Sequence, residues 1–140
     1  MSRTRLILRK LPSGFREYRA MRVLIADDNE LIRRCVARIL SADKDIEVCG
    51  EASDSAETLK KADELSPDVV LLDVSMPGTN GLNTAQVLSQ QLPSLKILIV
   101  SQHDSKQLLP RALEAGAHGC IDKGRIATDL LLTVKSLFKN

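Results

Sequence analysis

The chain has 140 residues, 44% of them hydrophobic and 27% charged, which suits one globular domain with a sizeable core and argues against wholesale disorder. With two Phe, one Tyr and no Trp the core must be aliphatic, and an aromatic platform for stacking single-stranded nucleic acid has no residues to build it. The net charge of +2 hides an asymmetry: residues 1–20 carry Arg3, Arg5, Arg9, Lys10, Arg16 and Arg19 against Glu17 alone, a balance of +5 that leaves −3 for the rest.

The basic stretch has no clear amphipathic period and is interrupted by Pro12-Ser-Gly14, so residues 1–20 are expected to form an extension separate from a domain spanning 21–140. Its apolar piece, Leu6-Ile-Leu8, is too short for a signal-peptide core; a nucleic-acid- or membrane-contacting arm is the sharper alternative. From Met21 onward, short aliphatic runs alternate with segments of helical period. Residues 23–26 predict a strand, and 30–40 a helix with apolar positions 31, 32, 35, 36, 39 and 40 on one face. Residues 46–52 predict a second strand. Asp54-x-x-Glu57 then reads as a capping box for a helix that turns Leu59, Ala62 and Leu65 inward and ends before Pro67. The run Val69-Val-Leu-Leu72 predicts a strand buried on both faces that stops abruptly at a carboxylate, Asp73. Met76-Pro77-Gly78 breaks it.

A third helix is predicted over 82–91 and a fourth strand over 96–100, ending in Ser101. The fourth helix lies between 105 and 115 and is stopped by Gly116, with Pro110 expected in or near its first turn, where a missing N–H costs little. Residues 118–121 predict a fifth strand leading to Asp122-Lys123-Gly124. A last helix over 126–138 offers Leu130, Leu131, Val134 and Leu137 for burial. Cys35, Cys49 and Cys120 are odd in number and unpatterned, which suits small buried side chains in a reducing cytosol better than disulfides or zinc. No apolar run approaches the roughly 18 residues of a membrane span.

Five strand–helix units in regular alternation imply an α/β, flavodoxin-like (βα)5 doubly wound parallel sheet of strand order 2-1-3-4-5. Its switch point lies between the first and third strands, so strand ends present Asp27-Asp28, Asp73, Ser101 and Lys123 to one region. Three carboxylates together would repel one another unless a cation neutralised them, and all-oxygen donors favour a hard divalent ion such as Mg²⁺. Lys123 and Ser101 add a mobile charge and a hydroxyl suited to phosphoryl oxygens. Singly, each residue has a blander role: Asp27 or Asp28 as a helix cap, Asp73 and Ser101 as turn formers, Lys123 as a solvated lysine.

On these residues the chain resembles the CheY-like receiver domain of two-component response regulators, over about residues 21–138. The matching pieces are Asp27-Asp28, Asp73 in Asp-x-x-Met-Pro-Gly-x-x-Gly, Ser101, and Lys123 in Ala117-His-Gly-Cys-Ile-Asp-Lys123. The resemblance implies that Asp73 accepts a phosphoryl group from the phosphohistidine of a sensor histidine kinase or phosphotransfer protein. It further implies Mg²⁺ held by Asp28, Asp73 and the Ser75 backbone carbonyl, with Asp27 acting mainly through a metal-bound water. Lys123 would pair with one phosphoryl oxygen and Ser101 would swing in to another. By the same resemblance the chain is a cytoplasmic signalling domain, with at most weak self-phosphorylation and self-dephosphorylation. It would switch partner binding, or a phosphorylation-dependent homodimer, and would not itself bind nucleic acid or membrane. Arg111-Ala-Leu-Glu-Ala-Gly-Ala117 is similar to receivers that precede a DNA-binding helix-turn-helix domain, so transcription is the expected output.

Two positions depart from the family pattern. Cys120 stands where an aromatic switch residue is usual, and Gln102 where a small residue follows the Ser/Thr. Rival readings are weaker. An aspartyl phosphatase would want Asp-x-Asp where Ser75 stands. A flavin carrier would want a phosphate-cradling loop after the first strand, where Asp27-Asp28 would repel the phosphate, and aromatics over its ring, which are missing. A fixed adaptor without phosphorylation would have no need of the full constellation.

Overall fold

The computed structural model describes residues 7–10, 16–76, 80–102 and 105–138. Apart from a short antiparallel pair, β1 (Ile7–Lys10) with β2 (Arg16–Arg19), its strands form one parallel five-stranded sheet. In chain order the elements are β3 (Met21–Ala26), α1 (Glu30–Ser41), β4 (Ile46–Ala52), α2 (Ser55–Leu65), β5 (Val69–Asp73), α3 (Gly81–Gln91), β6 (Lys96–Ser101), α4 (Ser105–Glu114), β7 (Gly119–Asp122), a 3₁₀ turn (Lys123–Arg125) and α5 (Ile126–Ser136). The sheet order β4-β3-β5-β6-β7 is the expected 2-1-3-4-5 counted from Met21.

Strand periodicity explains the two cores. Leu24, Val70, Leu72, Ile97 and Ile99 point to one side, where Ala62 of α2, Leu88 of α3 and Ala112 of α4 cover them. Their alternates Val23, Ile25, Leu71, Leu98 and Val100 point to the other, under Val36 and Leu40 of α1 and Leu130 and Val134 of α5. Because β5 is covered on both faces, all five of its residues are buried, Asp73 included. An unbroken apolar run that ends in an acid thereby delivers that acid, desolvated, to the carboxyl edge of the sheet.

Helix starts follow local hydrogen-bonding chemistry. The Asn29 side chain accepts from Leu31 N–H (2.9 Å) and Ile32 N–H (3.2 Å), so neither aspartate of the acidic pair is spent as the cap of α1. Asp54 caps α2 through Glu57 N–H (2.7 Å). Glu57 in turn accepts from Ser53 N–H (2.9 Å), one residue earlier than a strict capping box. Asn80 caps α3 through Leu82 N–H (2.8 Å).

Three expectations need correction. Leu31 is 69% exposed and Cys35 is exposed; the inward face of α1 is set by Ile32, Val36, Ile39 and Leu40, and positions 31 and 35 lie one step round the helix toward solvent. Cys49 and Cys120 are only partly buried. Pro110 is the sixth residue of α4, past the first turn, and it sits on the exposed side, where a carbonyl that loses its N–H partner is within reach of solvent.

At the opposite edge of the sheet, Asp68 receives the Arg19 guanidinium on both oxygens (2.6 and 2.7 Å) and the Arg22 N–H (2.8 Å). This bidentate pair ties β2 to the start of β5. Nearby, His118 leads into β7: its N–H donates to Ile97 O (2.7 Å) and its ring Nδ1 accepts from Ile97 N–H (3.1 Å). Burial first, and then the Lys96 charge, hold the imidazole below its ordinary pKa. A depressed histidine contributes stability that is complete above its unfolded pKa of about 6.5 and is lost as pH falls through that value toward the folded one. His118→Asn keeps an acceptor near the Nδ1 position but cannot titrate. Its urea midpoint should therefore fall less than the parent's between about pH 7.5 and pH 5.5; parallel falls would show that the ring is not linked to folding.

Candidate functional site

Parallel register builds the site. Ala26 of β3 pairs with Leu72 of β5, so the residues that follow, Asp27 and Asp73, emerge side by side at the carboxyl edge. Asp27 is 4% exposed and Asp73 1% exposed, whereas Asp28 faces solvent. Oxygens of the three carboxylates all lie within 4.8 Å of one another. Lys123, first residue of the 3₁₀ turn after β7, reaches across the sheet edge with Nζ 3.1 Å from Asp27 Oδ2 and 3.0 Å from Asp73 Oδ2.

The remaining polar groups of the two buried acids are also occupied. Asp27 Oδ1 accepts from Asn29 N–H (2.9 Å). Asp73 Oδ1 accepts from Ser75 N–H (3.0 Å) and Ser75 Oγ–H (2.8 Å). The main chain of Asp27 is held twice: its N–H donates to Ala52 O (3.0 Å), and its carbonyl accepts from Arg33 Nη1 (2.7 Å). Ser101, last residue of β6, is 1% exposed and stands one position past Val100, the register partner of Asp73. Gln102 beyond it is exposed.

Burial is the main cause that raises the Asp27 carboxyl above its ordinary pKa; the Asn29 N–H bond opposes it and the Asp73 charge adds to it. For Lys123, burial alone would lower the ammonium, but hydrogen bonds and charges from Asp73 and Asp27 outweigh it and hold the group above its usual value. The lysine is therefore a permanent cation between two acids. One ammonium still leaves three carboxylates short of neutrality, and their oxygen-only donor set, open to solvent at Asp28, fits a hard divalent cation.

Every site residue expected from the sequence lies at this edge of the sheet, and Asp27, Asp28, Asp73, Ser75 and Lys123 form one connected cluster. Arg33 was not foreseen. Its only trace in the sequence is a basic residue one turn into the helix that follows the acidic pair, which a solvated helix face explains equally well. Gly81 also gains a role: a Cβ there would stand 2.5 Å from Val74 Cα, the residue that follows Asp73. Because the obstacle is backbone, Gly81→Ala must displace the loop or α3. It is expected to cost about 1–3 kcal/mol in chemical denaturation; an unchanged midpoint would contradict the contact.

Cys120, at the position where an aromatic residue was expected to be missing, packs partly buried against the core. Burial, helped by the Asp122 charge, pushes its thiol up to about 11. It is thus a small neutral side chain and not a reactive thiolate.

Comparison with known proteins matches residues 23–135 to the model of the response regulator receiver domain. Response regulator GacA of Pseudomonas viridiflava is 37% identical over 118 residues, covering 84% of this chain and 55% of that protein. Oxygen regulatory protein NreC of Staphylococcus haemolyticus is 38% identical over 120 residues, covering 85% of this chain and 55% of that protein. The chain thus spans about half the length of the curated relatives it matches. Among solved structures, the signal receiver domain of the response regulator NarL from Mycobacterium tuberculosis superposes with a TM-score of 0.79 at 36% identity, covering 87% of this chain and 98% of that one. The isolated receiver domain of RcsB from Salmonella enterica, determined with the phosphomimetic BeF3-, gives a TM-score of 0.78 at 26% identity, covering 84% of this chain and 88% of that one.

Proposed function

The chain belongs to the response regulator receiver domain family, and we propose that it is a working phosphoacceptor switch: Asp73 takes a phosphoryl group from a histidine kinase or phosphotransfer protein in the presence of Mg²⁺. The observation that carries this reading is the placement of Lys123 Nζ between Asp27 Oδ2 and Asp73 Oδ2, beside a third carboxylate, at the carboxyl edge of the central strands. In the proposed transfer an Asp73 oxygen forms the new bond to phosphorus as the P–N bond to the donor imidazole breaks. The imidazole leaves with the bonding electron pair and takes a proton. Such a transfer needs positioning and charge neutralisation more than it needs an acid or a base.

Asp28, Asp73 and the Ser75 carbonyl, with Asp27 behind them, would hold Mg²⁺, which when bound supplies positive charge opposite the phosphoryl oxygens. Lys123 supplies a second positive charge from the other side. Ser101, at the end of the strand next to Asp73, is the hydroxyl that would close onto the phosphoryl group and move its loop. No helix among the described residues is long and apolar enough to cross a membrane. The relatives are regulators, so control of partner binding or of a homodimer, and through an output domain of transcription, is the proposed consequence.

Beryllofluoride with Mg²⁺ tests the site without a donor. Amide NMR shifts at Ser101 and Lys123 that need both reagents are expected; shifts absent from both residues would refute the switch. The same spectra address Cys120. A compact side chain cannot sweep out the volume of an aromatic ring, so the shifts should fade before the surface formed by α4, β7 and α5. Cys120→Tyr is expected to extend them, and identical spectra would show the missing ring to be irrelevant.

A further inference from the structure

We propose that Arg33 is a positioning residue: by fixing the peptide between Asp27 and Asp28 it sets the direction of both carboxylates, a role that rests on the cation-assisted phosphoacceptor reading above. The Arg33 side chain is 16% exposed and its guanidinium is held at two points, donating from Nη1 to Asp27 O (2.7 Å) and from Nε to Glu51 Oε1 (2.9 Å). The Asp27 carbonyl lies past the end of β3, outside the sheet ladder, and a buried carbonyl without a donor is costly. Arg33 supplies that donor. Because the peptide is planar, the direction of this carbonyl also fixes the Asp28 N–H and Cα, the point from which the Asp28 side chain starts.

Glu51, its side chain 43% exposed, anchors the outer end of the clamp. It belongs to β4, and its own carbonyl accepts from Lys61 Nζ of α2, so the far end of the guanidinium is anchored to the sheet rather than to a mobile loop. Asp27 is then constrained on every polar group: N–H to Ala52, carbonyl to Arg33, Oδ1 to Asn29 N–H and Oδ2 to Lys123. Arginine suits this task and lysine does not, because two donors of one planar fork must meet two acceptors in fixed directions.

Charge and positioning predict opposite signs, which makes the proposal decidable. Removing a cation near three carboxylates should, by Coulomb attraction alone, tighten Mg²⁺ binding. If Arg33 positions the pair, Arg33→Ala should weaken it, by about 10-fold or more as for other outer-shell partners of a metal site. The primary experiment is amide hydrogen exchange on metal-free parent and Arg33→Ala protein, followed by calorimetric titration with MgCl₂. Faster exchange at Asp28 and Asn29, with core strands β5 and β6 unchanged, and weaker Mg²⁺ binding are expected. Arg33→Lys should recover only part of either, and Glu51→Ala should move both in the same direction by less. Unchanged protection at Asp28 and Asn29, or tighter Mg²⁺ binding in Arg33→Ala, overturns the proposal. Parent protein that binds no Mg²⁺ would instead overturn the phosphoacceptor reading, while the exchange result still decides whether Arg33 fixes the loop.

Discussion

Lys123→Ala should bind Mg²⁺ more tightly than the parent and yet accept a phosphoryl group about 10²- to 10³-fold more slowly, the range for removing one preorganised charge at a developing anion. Both effects have one cause. The ammonium is within 3.1 Å of Asp27 and 3.0 Å of Asp73, so it already satisfies part of the demand of the carboxylates for positive charge and competes with an incoming cation. Without it a divalent ion meets the full negative field, but a phosphoryl group arriving at Asp73 loses one of its two counter-charges.

Stability should move with the same logic. Removing one partner of a buried ion pair costs about 3–5 kcal/mol because it leaves charge uncompensated. The relief available to metal-free Lys123→Ala is protonation of Asp27, whose carboxyl burial already raises. A carboxyl with a raised folded pKa disfavours folding once ionised: the penalty appears above its unfolded pKa and is complete above the folded one. The metal-free mutant should therefore gain stability as pH falls from 7 toward 5, and at pH 7 MgCl₂ should restore more of its thermal midpoint than it adds to the parent. Equal Mg²⁺ affinity in the two proteins, with equal rates of phosphorylation by acetyl phosphate, would remove Lys123 from the site.

Asp73→Asn is expected to abolish phosphoryl acceptance altogether while leaving the fold at least as stable. The amide keeps an acceptor oxygen for Ser75 N–H and Oγ–H, now at 3.0 and 2.8 Å, and its shape is nearly that of the acid. It removes one of two buried like charges; its NH2 replaces the Oδ2 that accepts from Lys123, and the ammonium turns to Asp27, with which it still pairs. Thermal unfolding of metal-free protein should show an equal or higher midpoint. A folded Asp73→Asn protein that still took up a phosphoryl group would place the acceptor elsewhere, and a collapsed one would make Asp73 a structural acid.

The architecture was legible because the strands announce themselves: β-branched or aliphatic-centred runs of four to seven residues are too short for helices, and helical periods of ten or more lie between them. Asp73 stood out because an acid at the end of a run buried on both faces, though a turn former when taken singly, shares its strand edge with Asp27-Asp28, Ser101 and Lys123. The helix faces were less legible. Apolar identity at positions 31 and 35 suggested burial, but α1 needs only a narrow stripe against β3 and β4, and the neighbours of that stripe are left in water. The interior Pro110 escaped because an exposed helix side tolerates a missing N–H. Within the site, side-chain carboxylates and the lysine follow from residue type and strand ends, whereas the Arg33 contact to a backbone carbonyl carries no pattern of its own. Main-chain polar groups are the same in every residue, so a sequence cannot say which of them needs a partner.

The central claim is that this particular constellation accepts a phosphoryl group on Asp73, and the mass of the intact protein after incubation with acetyl phosphate tests it most directly. With MgCl₂ present, one added phosphoryl group that is lost on treatment with hydroxylamine, as an acyl phosphate would be, is the predicted result; it should be absent without Mg²⁺ and absent in Asp73→Asn. A folded parent that gains no phosphoryl group under these conditions, and does not take up beryllofluoride either, would contradict the account and leave a receiver fold that signals without phosphorylation.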